Sequence, residues 1–445
     1  MNTARGTESA GDAGARLFSA LPTVHPERMS DETYVIVGAS LAGAKAAETL
    51  RKDGFTGRVV LVGQEIEPPY ERPPLSKGYL LGAEPREKAF VHEPQWYSEH
   101  NIEWRAGTLA TALDKENRTV TLRPTETLRY DKLLLATGSR VRELTVNGAE
   151  LTGIHYLRTL EESDDLLAGF RRGGHVVVVG AGWIGLETAA AARQHGCAVT
   201  VVEMGSLPLQ RVLGDEVAGI YRDLHVAHGV DFRFDAGVAE IIGTDGAVTG
   251  VRMTDGWEVA ADLVVVGIGI APATELAAAA GLQIDNGIVT DELLRTSDPN
   301  IWACGDVASS FNPLLNTRLR VEHWANALNG GPAAARSMLG STDPYARVPY
   351  FFSDQYDLGM EYTGWVIPGD DYRVVFRGEP TVVDGAAPEF IAFWVRDGAV
   401  LAGMNANVWD VTETIADLVR AGLGGRTVDL AALADPEVPL GDLLG

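Results

Sequence analysis

Val176-Val177-Val178-Val179 runs directly into Gly180-Ala181-Gly182-Trp183-Ile184-Gly185. The same pattern stands earlier in the chain, as Tyr34-Val35-Ile36-Val37 followed by Gly38-Ala39-Ser40-Leu41-Ala42-Gly43. A short apolar run that ends on glycine and reopens on small residues reads as buried strand, tight turn and helix. The first glycine of such a turn permits the sharp reversal, and the second lets backbone N–H groups approach a pyrophosphate. The third lets helix and strand pack closely, and the helix N-terminus favours the phosphates. Second strands follow at Val59-Val60-Leu61-Val62 and Ala198-Val199-Thr200-Val201-Val202. Acids then stand at Glu65 and Glu203, about 20 residues past the third motif position, where the hydroxyls of an adenosine ribose lie. One glycine turn would be a weak signal; two in the same context, each with its acid, are a specific one. Ser40 takes the middle glycine's place in the first copy, a small departure that leaves the approach open.

The duplication continues outward. Asp245-Gly246 and Asp255-Gly256 mark hairpin turns in a meander of the second copy. Each copy closes on a buried strand with small residues at its end: Lys132-Leu133-Leu134-Leu135-Ala136-Thr137-Gly138 and Asp262-Leu263-Val264-Val265-Val266-Gly267-Ile268-Gly269. From about Val348 the pattern changes. Phe390-Ile391-Ala392-Phe393-Trp394-Val395 reads as a buried strand, and Val411, Ile415, Leu418 and Val419 as the apolar face of a helix. The fold class expected is α/β, with two Rossmann-like dinucleotide-binding domains and a smaller α+β C-terminal domain.

Composition narrows the function. The chain has 445 residues, a formal net charge of −24 and two cysteines, Cys197 and Cys304. The charge opposes binding to nucleic acid or anionic membranes. No apolar run reaches the ~18–20 residues of a membrane helix. Residues 1–30 lack the apolar core of a secretory signal and read as a disordered extension. Two cysteines do not make a disulfide framework, which points to the cytoplasm, and no C-x-x-C or C-x4-C pair is present to act as a redox dithiol.

Pro69-Tyr70-Glu71-Arg72-Pro73-Pro74-Leu75-Ser76-Lys77 resembles the flavin-proximal segment of the FAD-dependent ferredoxin reductases, the family of putidaredoxin and rhodocoxin reductases. Ile301-Trp302-Ala303-Cys304-Gly305-Asp306-Val307-Ala308 is similar to their second FAD motif. Arg320-Val321-Glu322-His323-Trp324-Ala325-Asn326-Ala327 and Ser353-Asp354-Gln355-Tyr356-Asp357 resemble their later signatures. Phe352 and Asn329 depart from that pattern, where the family often has Trp and Gln. The resemblance implies FAD in the first copy, across residues 31–147 and 270–345, with Gly38, Ser40, Ala42, Gly43, Glu65, Arg72, Lys77, Ala110, Thr137, Gly138, Arg158, Gly305, Asp306 and Trp324 around it. Ala42 would meet the pyrophosphate, Glu65 or Gln64 the adenosine ribose, and the Ala110 main chain the adenine. Asp306 would take the ribityl chain, while Lys77 and Trp324 would lie beside the flavin.

NAD(H) would occupy the second copy, residues 148–269, held by Gly180, Gly182, Ile184, Gly185, Glu203, Arg211 and Gly269. A carboxylate at Glu203 bonds a free 2′-hydroxyl and repels a 2′-phosphate, and Met204-Gly205-Ser206 offers no arginine to a phosphate, so NADH is expected over NADPH. Glu187 is expected in the first turn of its helix. In the family this glutamate points towards the nicotinamide and pairs with the flavin lysine, which makes Lys77 and Glu187 the catalytic pair. Residues 346–445 would form the reductase C-terminal domain, with Trp394 and Trp409 as core residues. Cys304 and Cys197 read as small buried residues.

The implied activity is hydride transfer from NADH to FAD, then single electrons to a [2Fe–2S] ferredoxin that serves a cytochrome P450 or a ring-hydroxylating dioxygenase. A flavin NADH oxidase or quinone reductase is the rival enzyme, and a redox-sensing interaction protein of the apoptosis-inducing-factor type the rival of another class. The chain is expected to be a monomer or weak dimer. An acidic chain docking acidic ferredoxins needs a local basic patch, for which Arg318, Arg320, Arg373, Arg377 and Arg396 are the candidates.

Overall fold

Strand Thr33–Val37 lies at the centre of a parallel sheet because both of its faces are apolar. The computed structural model describes residues 31–367, 369 and 371–444, so the expectation for residues 1–30 falls outside them. The spatial order of this sheet is Ile301–Ala303, Lys132–Leu135, Thr33–Val37, Arg58–Val62 and Ile102–Arg105, all parallel. A second parallel sheet repeats the plan around His175–Val179, in the order Val230–Arg233, Ala198–Val202, His175–Val179, Leu263–Val266 and Ile154–His155. The registers correspond as well. Val37 is level with Val62 and Leu135, and Val179 is level with Val202 and Val266, so each glycine turn leaves from the same edge of its sheet.

A three-stranded antiparallel meander accompanies each sheet: Ala110–Asp114, Thr119–Leu122 and Glu126–Arg129 in one, Val238–Thr244, Ala247–Met253 and Glu258–Ala260 in the other. Asp245 and Gly246 both take positive φ, +53° and +82°, the conformation a tight two-residue hairpin demands. The chain leaves the first sheet through Ser139–Val141 and returns through Ile270–Pro272, and these two segments pair antiparallel as a double crossing.

The C-terminal region is a five-stranded antiparallel sheet in the order Tyr350–Gln355, Leu358–Gly364, Ala399–Ala406, Phe390–Arg396 and Arg373–Gly378. Helix Thr412–Leu423 closes one face and buries Ile415, Leu418 and Val419, with Val411 as its N-cap. The molecule is therefore α/β, with two parallel sheets and a separate antiparallel C-terminal unit. Trp394 is fully buried and donates to the Leu213 carbonyl at 3.2 Å, as a core tryptophan should. Trp409 is 54 % exposed, contrary to the core expectation, because it sits in the loop after Ala399–Ala406 rather than within a strand.

Candidate active site

Both glycine turns open onto one cleft of about 1800 Å³. The local reason is the same in each copy. A Cβ on Gly43 would stand 1.9 Å from the Gly38 carbonyl oxygen, and one on Gly185 would stand 2.0 Å from that of Gly180. Only glycine lets helices Leu41–Lys52 and Trp183–Gln194 start this close to their strands. The middle positions are different. Gly182 has φ −79° and open space where a side chain would begin, and Ser40 has φ −124°, backbone that any residue adopts. Serine is thus accommodated without strain, and its hydroxyl donates to the Tyr70 carbonyl at 3.3 Å.

The expected residues of the first copy gather along this cleft. Gly38, Ser40, Ala42, Glu65, Arg72, Lys77, Ala110, Thr137, Gly138, Arg158, Gly305, Asp306 and Trp324 line it, and Gly43 supports it from behind. Glu65 forms an ion pair with Arg72 at 2.7 Å and also accepts from the Tyr70 hydroxyl. Asp306 sits in a 3-10 turn after Cys304 and pairs with Arg158 at 3.0 Å. Thr137 is tied to the Ala273 carbonyl at 2.8 Å, which anchors the closing strand beside the returning segment. The Trp324 indole donates to Glu71 at 2.9 Å and meets Phe352 edge-on.

In the second copy Gly180, Gly182, Ile184, Glu203, Arg211 and Gly269 line the same cleft, with Gly185 at the helix start. The Glu203 carboxylate accepts from the backbone N–H of Ala181 at 2.7 Å and of Gly205 at 2.8 Å, so it is fixed between the glycine turn and the loop after the second strand. Arg211 is exposed near the start of helix Gln210–Ala227.

Lys77 and Glu187 meet between the two halves. Lys77 Nζ donates to Glu187 Oε1 at 2.7 Å, and the carboxylate side chain is only 3 % exposed. Glu187 is the fifth residue of its helix rather than a first-turn residue, so the helix terminus does not answer its charge. Side chains do. Ser353 donates to Oε1 at 2.7 Å and Ser76 donates to Oε2. Ser76 and Ser353 lay within the stretches that carried the family resemblance, yet nothing in their spacing paired them with Glu187. A second cleft of about 370 Å³ backs onto the same pair, with Asp354 in its wall. Burial pushes the Asp354 carboxyl up, against the pull of Lys77.

Cys304 stands in the wall of the cleft and Cys197 does not. Cys304 is buried and its thiol is pushed up to about 12 by burial, which suppresses the reactive thiolate. Cys197 is buried just before strand Ala198–Val202 and donates to the Phe170 carbonyl at 3.4 Å. His323 packs against Phe351, and burial lowers it to about 4, so it is neutral at physiological pH. Of the five arginines named as candidates for a basic patch, Arg373 and Arg396 are exposed, and the other three hold local partners. Arg318 is spent on the carbonyls of Thr290 and Ser309, Arg377 on those of Asp435, Pro436 and Val438, and Arg320 pairs with Glu322.

Pyridine nucleotide-disulphide oxidoreductases match residues 32–331 as a family, and the reductase C-terminal family matches residues 350–444. The chain belongs to the ferredoxin reductases of that family. It is 41 % identical over 415 residues to the ferredoxin–NAD(+) reductase component of the anthranilate 1,2-dioxygenase system of Burkholderia cepacia, a match covering 93 % of this chain and 99 % of the relative. It is 42 % identical to rhodocoxin reductase of Rhodococcus erythropolis, across 77 % of this chain and 80 % of that protein. Among solved structures, the covalent putidaredoxin reductase–putidaredoxin complex superposes with a TM-score of 0.86 at 35 % identity, covering 93 % of this chain and 98 % of that one.

FAD and NAD(H) are the cofactors of this oxidoreductase family, and the residues present fit both. The two cradles are shaped so that any Cβ at Gly38 or Gly180 would strike backbone, at 2.0 and 2.5 Å. Three buried polar atoms of cleft residues, Arg72 Nε, Ser139 Oγ and His323 Nδ1, have no protein partner. Such atoms are costly unless a ligand or water meets them. Among the described residues no helix is long and apolar enough to cross a membrane.

Proposed function

We propose that this chain is an NADH-dependent ferredoxin reductase. Its first parallel sheet, residues 31–147 and 270–345, is a Rossmann-type domain for FAD. The second, residues 148–269, is one for NADH, and residues 346–445 form the reductase C-terminal domain. Its partner would be a [2Fe–2S] ferredoxin feeding a cytochrome P450 or a dioxygenase. The repeated strand order and the paired crossing segments support that division. One observation carries the reading: the Lys77–Glu187 ion pair stands where the two glycine turns face each other across one cleft.

When bound, FAD takes both reducing equivalents of NADH together and releases them one at a time. The chain supplies position and charge. Asp306 accepts sugar hydroxyls of the flavin's ribityl chain, and Arg158 keeps that carboxylate from lying unpaired in the cleft. Lys77 places a cation at the flavin ring, which stabilises negative charge there. Glu187 offsets that cation and would lie on the nicotinamide's side of the pair. Glu203 holds the free ribose hydroxyls and disfavours a 2′-phosphate. Cys197 and Cys304 form no dithiol, so electrons leave to an external acceptor, which in this reading is the one-electron [2Fe–2S] centre of a ferredoxin.

The test is turnover. Purified protein with NADH should reduce cytochrome c rapidly only when a [2Fe–2S] ferredoxin is added, and should consume oxygen slowly. Fast oxygen consumption without ferredoxin would replace this reading with an oxidase. A long-lived charge-transfer complex with redox-dependent dimerisation would replace it with a sensor.

A further inference from the structure

The Ser353-Asp354-Gln355-Tyr356 stretch does more than close a sheet. Ser353 and Gln355 are each 1 % exposed, and their side chains form a continuous path with His225, which is fully buried in helix Gln210–Ala227. His225 Nε2 lies 2.8 Å from Gln355 Oε1, Gln355 Nε2 lies 3.1 Å from Ser353 Oγ, and Ser353 Oγ lies 2.7 Å from Glu187 Oε1. At the far end the Tyr356 hydroxyl is 3.5 Å from His225 Nδ1.

The proton arrangement is determined link by link. The amide nitrogen of Gln355 can only donate, so Ser353 accepts from it and has its own proton left for Glu187. Gln355 Oε1 can only accept, so His225 carries its proton on Nε2, and Nδ1 is left to accept from Tyr356. Every donor points the same way, towards the Glu187 carboxylate, and hydrogen bonds aligned head to tail polarise one another. Burial holds His225 neutral, its proton affinity lowered to about 4, as this arrangement requires.

We propose that Ser353, Gln355 and His225 are positioning residues that fix the Glu187 carboxylate against Lys77, so that the C-terminal unit and the second parallel sheet jointly set the geometry of the pair in the cleft. This rests on the reading of Lys77 and Glu187 given above. It assigns to the C-terminal sheet a part in hydride transfer from the reduced nucleotide. It also explains why a serine and a glutamine are buried beside a carboxylate where apolar residues would pack as well: each satisfies the next.

Three variants test it in the FAD-loaded protein. Ser353→Ala removes the last donor, Gln355→Met removes the middle link at similar volume, and Ser353→Thr keeps the hydroxyl. The stopped-flow rate of flavin reduction by NADH should fall about tenfold in Ser353→Ala and about threefold in Gln355→Met, with NADH affinity unchanged and the rate largely restored in Ser353→Thr. The second readout does not depend on turnover. The infrared carboxylate stretch of Glu187, isolated as the difference from Glu187→Gln, should shift in Ser353→Ala and Gln355→Met. In Ser353→Thr it should stay in place. If Glu187→Gln slows reduction while Ser353→Ala and Gln355→Met leave both rate and band unchanged, the relay is wrong and the pair survives. If Glu187→Gln itself changes nothing, the reading of the pair falls and the relay falls with it.

Discussion

The two parallel sheets are the same object written twice, and they part company after the second strand. Glu65 ends the first copy's pattern and is answered by side chains, the Arg72 guanidinium and the Tyr70 hydroxyl. Glu203 ends the second copy's pattern and is answered by two backbone N–H groups. An acid neutralised by a cation loses its power to repel a phosphate, whereas one held by neutral donors keeps its charge. Duplicated backbone thus gives two cradles of one shape, and the neighbours of each acid decide how selective the cradle is.

The largest effect should come from the position the copies share. Gly43→Ala and Gly185→Ala each drive a methyl group into a carbonyl oxygen about 2 Å away. The first variant should be purified without FAD, and the second should keep FAD while losing NADH-dependent bleaching. Gly182→Ser, by contrast, should cost little, since Ser40 already shows that position to be tolerant. Equal damage from Gly182→Ser and Gly185→Ala in NADH titrations would erase the distinction between positions.

Next in size is nucleotide choice. Glu203→Arg should reduce the preference for NADH over NADPH by about ten- to a hundredfold in kcat/KM, the range expected when a charged hydrogen bond is lost. The matching change in the first copy, Glu65→Gln, should leave that ratio untouched. A shift in the ratio from Glu65→Gln would mean that the copies had been assigned the wrong way round.

Asp306→Ala should weaken FAD binding about tenfold, because it removes an acceptor and leaves Arg158 unpaired in the cleft. The measurement is FAD retained after gel filtration at low protein concentration, and full retention would count against the ribityl role.

The smallest effect concerns acid stability. Burial lowers His225 and His323 from 6.5 to about 4 in the folded chain. Between those values the unfolded chain binds protons at these two histidines that the folded chain does not, so their contribution to stability is full above pH 6.5 and is lost as pH drops towards 4. Denaturant titrations across that range should show the decline, and His225→Gln should make it shallower.

Much of this was legible in the residues. Apolar runs ending on glycine specified both central strands, and an acid about 20 residues past the turn followed each second strand, because the turn tolerates few alternatives. Lys77 and Glu187 were legible only through a resemblance, since 110 residues separate them. The helical position of Glu187 was misplaced by one turn because the strand–turn boundary cannot be read to the residue. Ser353 and Glu187 lie 166 residues apart, and His225 and Gln355 130 apart. No local periodicity encodes such meetings; they exist only where the second parallel sheet and the C-terminal sheet pack together.

The central claim is that FAD occupies the first cradle and is reduced by a nucleotide held in the second. An anaerobic titration of the purified protein with NADH tests it most directly. The account predicts one FAD per chain, bleached by one equivalent of NADH and far less readily by NADPH. A colourless protein that takes up no FAD, or a yellow one that NADH leaves oxidised, would contradict it.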